Sequence, residues 1–224
     1  MELKKSLIVI SYLLIVGCNG QEKDQNKNNT IMREKVDLNL LEANAKKTAT
    51  SSSSFVYEYE AKKENDDLVK ISGSKEEGFV ERIIKSKPLY QTIYKEYYPD
   101  GYIKKKEVYF GERTKIDVSE YYDEKGHLKA VDENKKFGKI KPYDILKFLE
   151  QKGIIDLSNG KGRFDENGNP SFEVQFEEKS IEYLITVING KPNNGAWSDI
   201  GEPPAFLPIV YKMDGETGEI EELK

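Results

Sequence analysis

The chain is poor in cysteine and histidine. Its 224 residues include one Cys, one His and one Trp. A single cysteine cannot close an intrachain disulfide, and a zinc site built from Cys and His ligands is excluded. A Ser-His-Asp set would have to use His127, and no G-x-S-x-G pattern exists to partner it. GxGxxG and Walker glycine loops are also missing. We therefore predict no catalytic residue, no metal ligand and no cofactor, and an exposed or structural role for His127.

A long hydrophobic run is missing as well. The apolar segment from Leu7 to Gly17 follows Lys4 and Lys5 and ends at Cys18. It is shorter than the roughly 20 residues that cross a bilayer, but it fits the apolar region of a signal peptide. An ordinary secretory signal with an incidental cysteine, or a buried strand, are the alternatives.

The residues Leu13-Leu14-Ile15-Val16-Gly17-Cys18 resemble the signal of bacterial lipoproteins. The resemblance implies that residues 1–17 are removed by signal peptidase II and that Cys18 is acylated (palmitate-type chains on a diacylglyceryl group). Two chains anchor a protein stably where one does not. The resemblance therefore makes membrane lipid the first expected partner. Asn19 after the cysteine favours the outer membrane of a two-membrane envelope, with the face undetermined.

Residues 18–54 are expected to form a lipidated tether followed by a short helix. Asn19–Thr30 contains no apolar residue, which is typical of a disordered segment. The spacing of Val36, Leu40 and Ala43 then predicts a helix over Met32–Lys47. Removing residues 1–17, which carry a net charge of +1, changes the formal charge from −5 to −6. This acidity disfavours nucleic acid as a partner.

Residues 55–138 show the two-residue period of antiparallel strands, with Pro-Asp-Gly and Glu-Lys-Gly turns between them. Glu96–Lys104 and Glu120–Lys129 share the pattern E-Y-Y, a turn ending in Gly, one residue, Ile or Leu, then Lys. This pattern resembles the hairpin units of YD-repeat proteins and of YwqK-like antitoxin repeats. Ordinary hairpins in a meander are the alternative. The strands are predicted at Phe55–Glu60, Leu68–Ser72, Phe79–Ile84, Leu89–Tyr98, Tyr102–Phe110, Lys115–Tyr122 and His127–Val131.

Residues 139–224 are predicted to form a separate α+β unit. A helix over Pro142–Lys152 precedes a hairpin of Phe172–Glu177 with Ile181–Val187, and a final pair of strands at Pro208–Met213 and Glu219–Leu223. This order, with its closing Tyr-Lys-Met-Asp and Thr-Gly-Glu-Ile, resembles PepSY-like domains of envelope proteins. The resemblance implies a noncatalytic module that packs against a partner.

The 19 residues Asn189–Leu207 read as a long connection before that final pair. Connections of this length are often functional, and aromatic residues are enriched at binding hot spots. We predict a recognition loop with Trp197, Asp199 and Phe206 as partner-binding residues. Alternatively, both aromatics close an open end of the sheet.

The segment Asp165–Pro170 partly matches a calcium loop but lacks its bend glycine and its closing Glu, so we expect a turn.

The overall fold class is thus predicted as α+β: a lipidated tether, a tyrosine-rich antiparallel hairpin meander, and a C-terminal helix packed on a small antiparallel sheet. The predicted function is that of a lipid-anchored, noncatalytic protein-binding module of the bacterial envelope, of an immunity or antitoxin type in one version. The alternatives are a surface glycan hydrolase that uses paired carboxylates and a purely structural envelope lipoprotein.

Overall fold

The computed structural model describes residues 33–50, 53–193 and 205–223. The described residues group into one compact unit that is mainly antiparallel β-sheet with two α-helices. An eight-stranded sheet is followed by a four-stranded one.

The large sheet is a meander in which each strand pairs with the next one in the chain. Every predicted strand between residues 55 and 131 is present, and one further strand precedes them. The strands are β1 Lys46–Ala49, β2 Phe55–Lys62, β3 Leu68–Ser74, β4 Gly78–Ile84, β5 Gln91–Tyr97, β6 Ile103–Phe110, β7 Thr114–Tyr122 and β8 Leu128–Asp132.

The two E-Y-Y segments both form hairpin turns, but they are not equivalent in register. Tyr97 pairs with Ile103 across the first turn, whereas Tyr122 pairs with Leu128 across the second. The extra residue of the second segment thus shifts the tyrosines by one position. Because side chains alternate along a strand, Tyr121 lies on the face opposite to that of Tyr97.

One face of the large sheet is covered. The N-terminal core joins Val36 and Leu41 to residues of β2–β6 on this face. The extended segment before Leu41 lies against the turn between β5 and β6, since Val36 N–H donates to the carbonyl of Gly101 at 2.9 Å. The members of the N-terminal core that lie in the sheet are Tyr57, Val69, Ile71, Phe79, Ile83, Tyr97 and Ile103.

The helix predicted over Met32–Lys47 is wrong in length and in its buried stripe. Helix α1 spans only Leu38–Asn44, with the Asp37 carboxylate accepting the Leu40 N–H at 2.9 Å as its N-cap. Ala45 is extended and β1 follows, because pairing with β2 satisfies the next backbone groups. Leu41 is the buried residue of the helix, not Leu40 or Ala43.

The C-terminal helix agrees with its prediction. Helix α2 spans Pro142–Gln151 and buries Ile145, Leu146, Phe148 and Leu149. It packs on the small sheet, whose strand order is β12-β11-β10-β9. These strands are β9 Phe172–Glu177, β10 Glu182–Pro192, β11 Phe206–Asp214 and β12 Ile220–Leu223.

The two sheets share hydrophobic packing. The C-terminal core contains the buried residues of α2 and β9–β11 together with Val108, Phe110 and Ile116 of the large sheet. Tyr90 is a further link, because its hydroxyl donates to the carbonyl of Phe172 at 3.2 Å.

The connection over Asn189–Leu207 is shorter than predicted. Strands β10 and β11 continue into it, with Lys191 opposite Leu207 and Pro192 opposite Phe206. Backbone pairing satisfies these polar groups, so the segment is partly a hairpin extension and not wholly a loop.

Candidate functional site

The second face of the large sheet is open to solvent and carries three rows of side chains across the strands. Residues opposite each other in an antiparallel pair point to the same face, so the register defines each row. The first row is Lys62, Leu68, Ile84, Thr92, Tyr109 and Lys115; the second is Glu60, Lys70, Arg82, Tyr94 and Glu107; the third is Lys46, Glu58, Ser72, Val80, Glu96, Lys105, Tyr121 and Lys129. We call these rows the open face.

Glu107 is the buried centre of the open face, with only 1% of its surface exposed. Its carboxylate accepts hydrogen bonds from Lys115 Nζ at 2.5 Å, Tyr121 Oη at 2.8 Å and Tyr109 Oη at 2.9 Å. Burial opposes ionisation of Glu107, but these donors outweigh it and lower the pKa of the carboxyl to about 2. Lys105 adds a second cation at 3.5 Å.

A second cluster continues the network towards β4 and β5. Glu96 accepts from Lys105 Nζ at 2.9 Å and from Tyr94 Oη at 2.9 Å. The Arg82 guanidinium and the Lys105 ammonium lie over the Tyr94 ring, at 5.7 and 4.9 Å from its centroid. Each cation is thus held near an aromatic ring, where its charge is partly balanced.

The open face is basic, although the whole chain is acidic. Its three rows hold seven Lys or Arg and four Glu, a net of +3, against −5 for the chain. Within the described residues, Arg82 and Lys129 form no ion pair. The charge distribution favours an acidic binding partner.

The carboxyl groups with shifted pKa values are poor general acids. For each described Asp or Glu with such a shift, including Glu96 and Glu107, the pKa is lowered. A glycosidase acid needs a raised pKa to donate its proton near neutral pH. These carboxyl groups are ionised at neutral pH and accept hydrogen bonds from fixed neighbours.

Two carboxylates come together on the covered face, beside a recess of about 290 Å³. The Tyr97 hydroxyl lies 2.6 Å from Glu81 Oε2 and 3.0 Å from Glu34 Oε1. Lys95 Nζ lies 3.3 and 2.5 Å from the same two oxygens. Burial, followed by the hydrogen bond to Glu81, raises the pKa of Tyr97. This cluster joins the N-terminal segment to the sheet by charge-assisted hydrogen bonds.

Three of the four residues singled out in the sequence lie outside the described residues: Cys18, Trp197 and Asp199. Phe206, the fourth, begins β11 and is 46% exposed. The recognition-loop hypothesis is therefore untested at Trp197 and Asp199.

The two segments for which we expected no site are ordinary turns. His127 is exposed in the β7–β8 turn, with Nδ1 2.8 Å from Asp123 Oδ2. The Asp165 carboxylate accepts the backbone N–H groups of Asn167 and Asn169, which closes the turn that was expected there. No group of three His, Cys, Asp or Glu suited to a metal ion occurs among the described residues.

The open face could not be recognised from the sequence, because lysines and glutamates are interspersed throughout the chain, as they are on an ordinary solvated surface. The alternation in β2 and β3 is one usable signal, because Glu58, Glu60 and Lys70 must point away from the buried apolar residues of these strands. Those buried residues are Tyr57, Val69 and Ile71. The register that aligns eight strands could not be read from single strands.

Comparisons with protein-family models, with curated proteins and with solved structures gave no match. In the part of the chain that the structure describes, no helix has the length and apolar character needed to cross a bilayer.

Proposed function

We propose that the chain is a lipid-anchored, noncatalytic binding module of a bacterial envelope, and that its open face binds an acidic surface of a partner protein. The observation that carries the binding role is the net charge of +3 on a tyrosine-bearing sheet face of an acidic chain. The anchor rests on the lipoprotein-type signal that ends at Cys18.

The side chains of this face are fixed before a partner arrives. Tyr109, Tyr121 and Lys115 are held by Glu107, and Tyr94 is held by Glu96. A binding surface whose side chains are already ordered loses less conformational entropy on association. Tyrosine and arginine also dominate binding hot spots, which suits Tyr94 and Arg82.

The lowered carboxyl pKa values favour this role over glycan hydrolysis, because ionised, fully hydrogen-bonded carboxylates do not donate protons. An immunity-type partner is one version of the proposal.

The test uses charge reversal at two exposed positions: Lys70, which pairs with the exposed Glu60, and Arg82, which forms no ion pair among the described residues. The variant Lys70→Glu/Arg82→Glu changes the open face from +3 to −1, since each reversal changes the charge by −2. Lys179→Glu, in the turn between β9 and β10, is the control for a charge reversal away from the open face. The assay is a pulldown from detergent-solubilised envelopes. We expect wild type and Lys179→Glu to retain the same partner protein, and the double variant to lose it.

Recovery of the same protein by all three forms would refute the role of the open face. Mass spectrometry of the mature N-terminus tests the anchor separately, with an acylated Cys18 expected and an unmodified Cys18 contradicting it.

A further inference from the structure

A cavity lies where the two sheets meet, between the end of β4, the β6–β7 turn and the edge strand β9. Its volume is about 130 Å³, close to the roughly 150 Å³ of an engineered apolar cavity that holds benzene. Apolar atoms form most of its wall, with Tyr90, Phe164 and Phe172 as its aromatic side chains. The cavity therefore has the size and lining for one small ring.

Arg163 supplies the charge in this cavity and is left short of partners. Its Nη1 donates to the carbonyl of Lys85 at 3.2 Å, the one hydrogen bond of this guanidinium within the described residues. Its Nε is buried and without a hydrogen bond there. No carboxylate of the described residues lies within ion-pair distance of Arg163, and burial lowers the pKa of its guanidinium.

Two aromatic rings offset only part of the free energy lost when the Arg163 guanidinium is removed from water. The guanidinium lies 5.0 Å from the ring centroid of Phe164 and 5.9 Å from that of Tyr90. A partly buried cation without an anion is unfavourable, and a guanidinium N–H forms a strong, charge-assisted hydrogen bond to a carboxylate. Because Nη1 is engaged and Nε is buried, Nη2 is the group of this guanidinium that is left for a carboxylate.

The remaining charged residues of the cavity are Arg113, Glu112 and Glu173. Neither Glu112 nor Glu173 forms an ion pair with Arg163 within the described part of the chain. Burial, and after it Glu173, raises the pKa of Tyr90, so the negative potential of Glu173 reaches the cavity. Glu173 is thus expected to weaken the binding of an anion.

Phe164 lies beside Arg163 and is 47% exposed. A flat ligand seated in the cavity would cover it.

We infer that this cavity binds a small monocarboxylic acid with an aromatic or similarly compact apolar body. The carboxylate pairs with Arg163, and the ring packs against Phe164, beside the Tyr90 and Phe172 rings, which contact each other with their centroids 4.7 Å apart. The cavity shares Ile84 and Thr92 with the first row of the open face, but neither Lys70 nor Arg82 lines it. The variants at Arg163 and at Lys70 and Arg82 therefore test the two proposals independently.

The test compares benzoate with benzamide, which has the same shape and no charge, by NMR titration of the full-length protein in detergent. We expect benzoate to shift the amide signals of Phe164 and Phe172, and benzamide to bind at least tenfold more weakly. Equal binding of the two compounds, no shift at millimolar benzoate, or shifts confined to other residues would overturn the proposal.

Two variants separate the charge effect from a folding defect. Arg163→Gln should weaken benzoate binding about ten- to a hundredfold, the loss expected for a charge-assisted hydrogen bond. Glu173→Gln should strengthen it, because a competing negative charge is removed. Unchanged affinity in Arg163→Gln, or weaker binding in Glu173→Gln with an intact spectrum, would contradict a carboxylate at this position.

Discussion

Replacing the buried carboxylate of the open face, Glu107→Gln, should destabilise the protein in a way that depends on pH. The side chain accepts three strong hydrogen bonds, and the pKa of its carboxyl is lowered from 4.5 to about 2. At about 1.4 kcal/mol per pH unit, this difference corresponds to roughly 3 kcal/mol of folding free energy. Lys115, a principal partner, is 32% exposed in its side chain, so screening by water reduces the expected loss to about 2 kcal/mol.

The direction in which stability changes with pH follows from the lowered pKa of Glu107. A carboxyl whose pKa is lower in the folded state binds fewer protons there than in the unfolded chain, so its contribution to stability is present above pH 4.5. The contribution is lost as the pH falls from about 4.5 towards 2. The difference in the free energy of unfolding between wild type and Glu107→Gln should therefore be largest at pH 7 and decrease below pH 4.5.

Urea unfolding of both forms at several pH values between 7 and 3 measures this difference. At pH 7 the thermal midpoint should fall by roughly 4–8 °C, at about 2–4 °C per kcal/mol for a chain of this size. Glu58→Gln is the control: its partner Lys46 is 3.4 Å away and both side chains are largely exposed, so it should cost under about 0.5 kcal/mol. An equal loss in the two variants, or a Glu107→Gln deficit that does not shrink in acid, would refute the network as described.

Three further results are expected. Leu41→Ala should cost about 2–5 kcal/mol in urea unfolding, since the side chain is fully buried in the N-terminal core; a loss below 1 kcal/mol would mean that α1 does not pack as described. Gly78→Ala should destabilise far more than Gly168→Ala, because both glycines have positive φ but only at Gly78 would a new Cβ lie 2.2 Å from the Tyr97 carbonyl oxygen; equal thermal midpoints would contradict this. His127→Ala should change stability by no more than about 0.5 kcal/mol, since the side chain is 77% exposed, and a larger loss would show an unrecognised role.

Much of the β-structure could be predicted from local patterns. Tyr57 and Tyr59 alternate with glutamates in β2, and glycines close the turns, so strand positions and hairpin order followed from two simple rules. Helix α2 could be predicted equally well, because Pro142 and Gly153 mark the two ends of a single apolar stripe. The length of α1 was not predictable, since β1 forms only by pairing with a strand that follows it.

The candidate site depended on information that no single segment contains. Tyr121 faces solvent and Tyr97 faces the core, although both occupy the same place in the E-Y-Y pattern. The partners of Glu107 come from β6 and β7 through a register shift between these strands. Arg163 and Tyr90 meet across 73 residues of chain because two sheets pack together. Each of these arrangements is a product of tertiary packing.

The most direct test of the open face as a protein-binding surface is photo-crosslinking in living cells. A photoreactive amino acid is placed at Ser72, an exposed position in the third row, or at Lys179 as the control. The account predicts a discrete protein adduct from position 72 that Lys70→Glu/Arg82→Glu abolishes, and no such adduct from position 179. The absence of an adduct at position 72, or the same adduct from both positions, would contradict it.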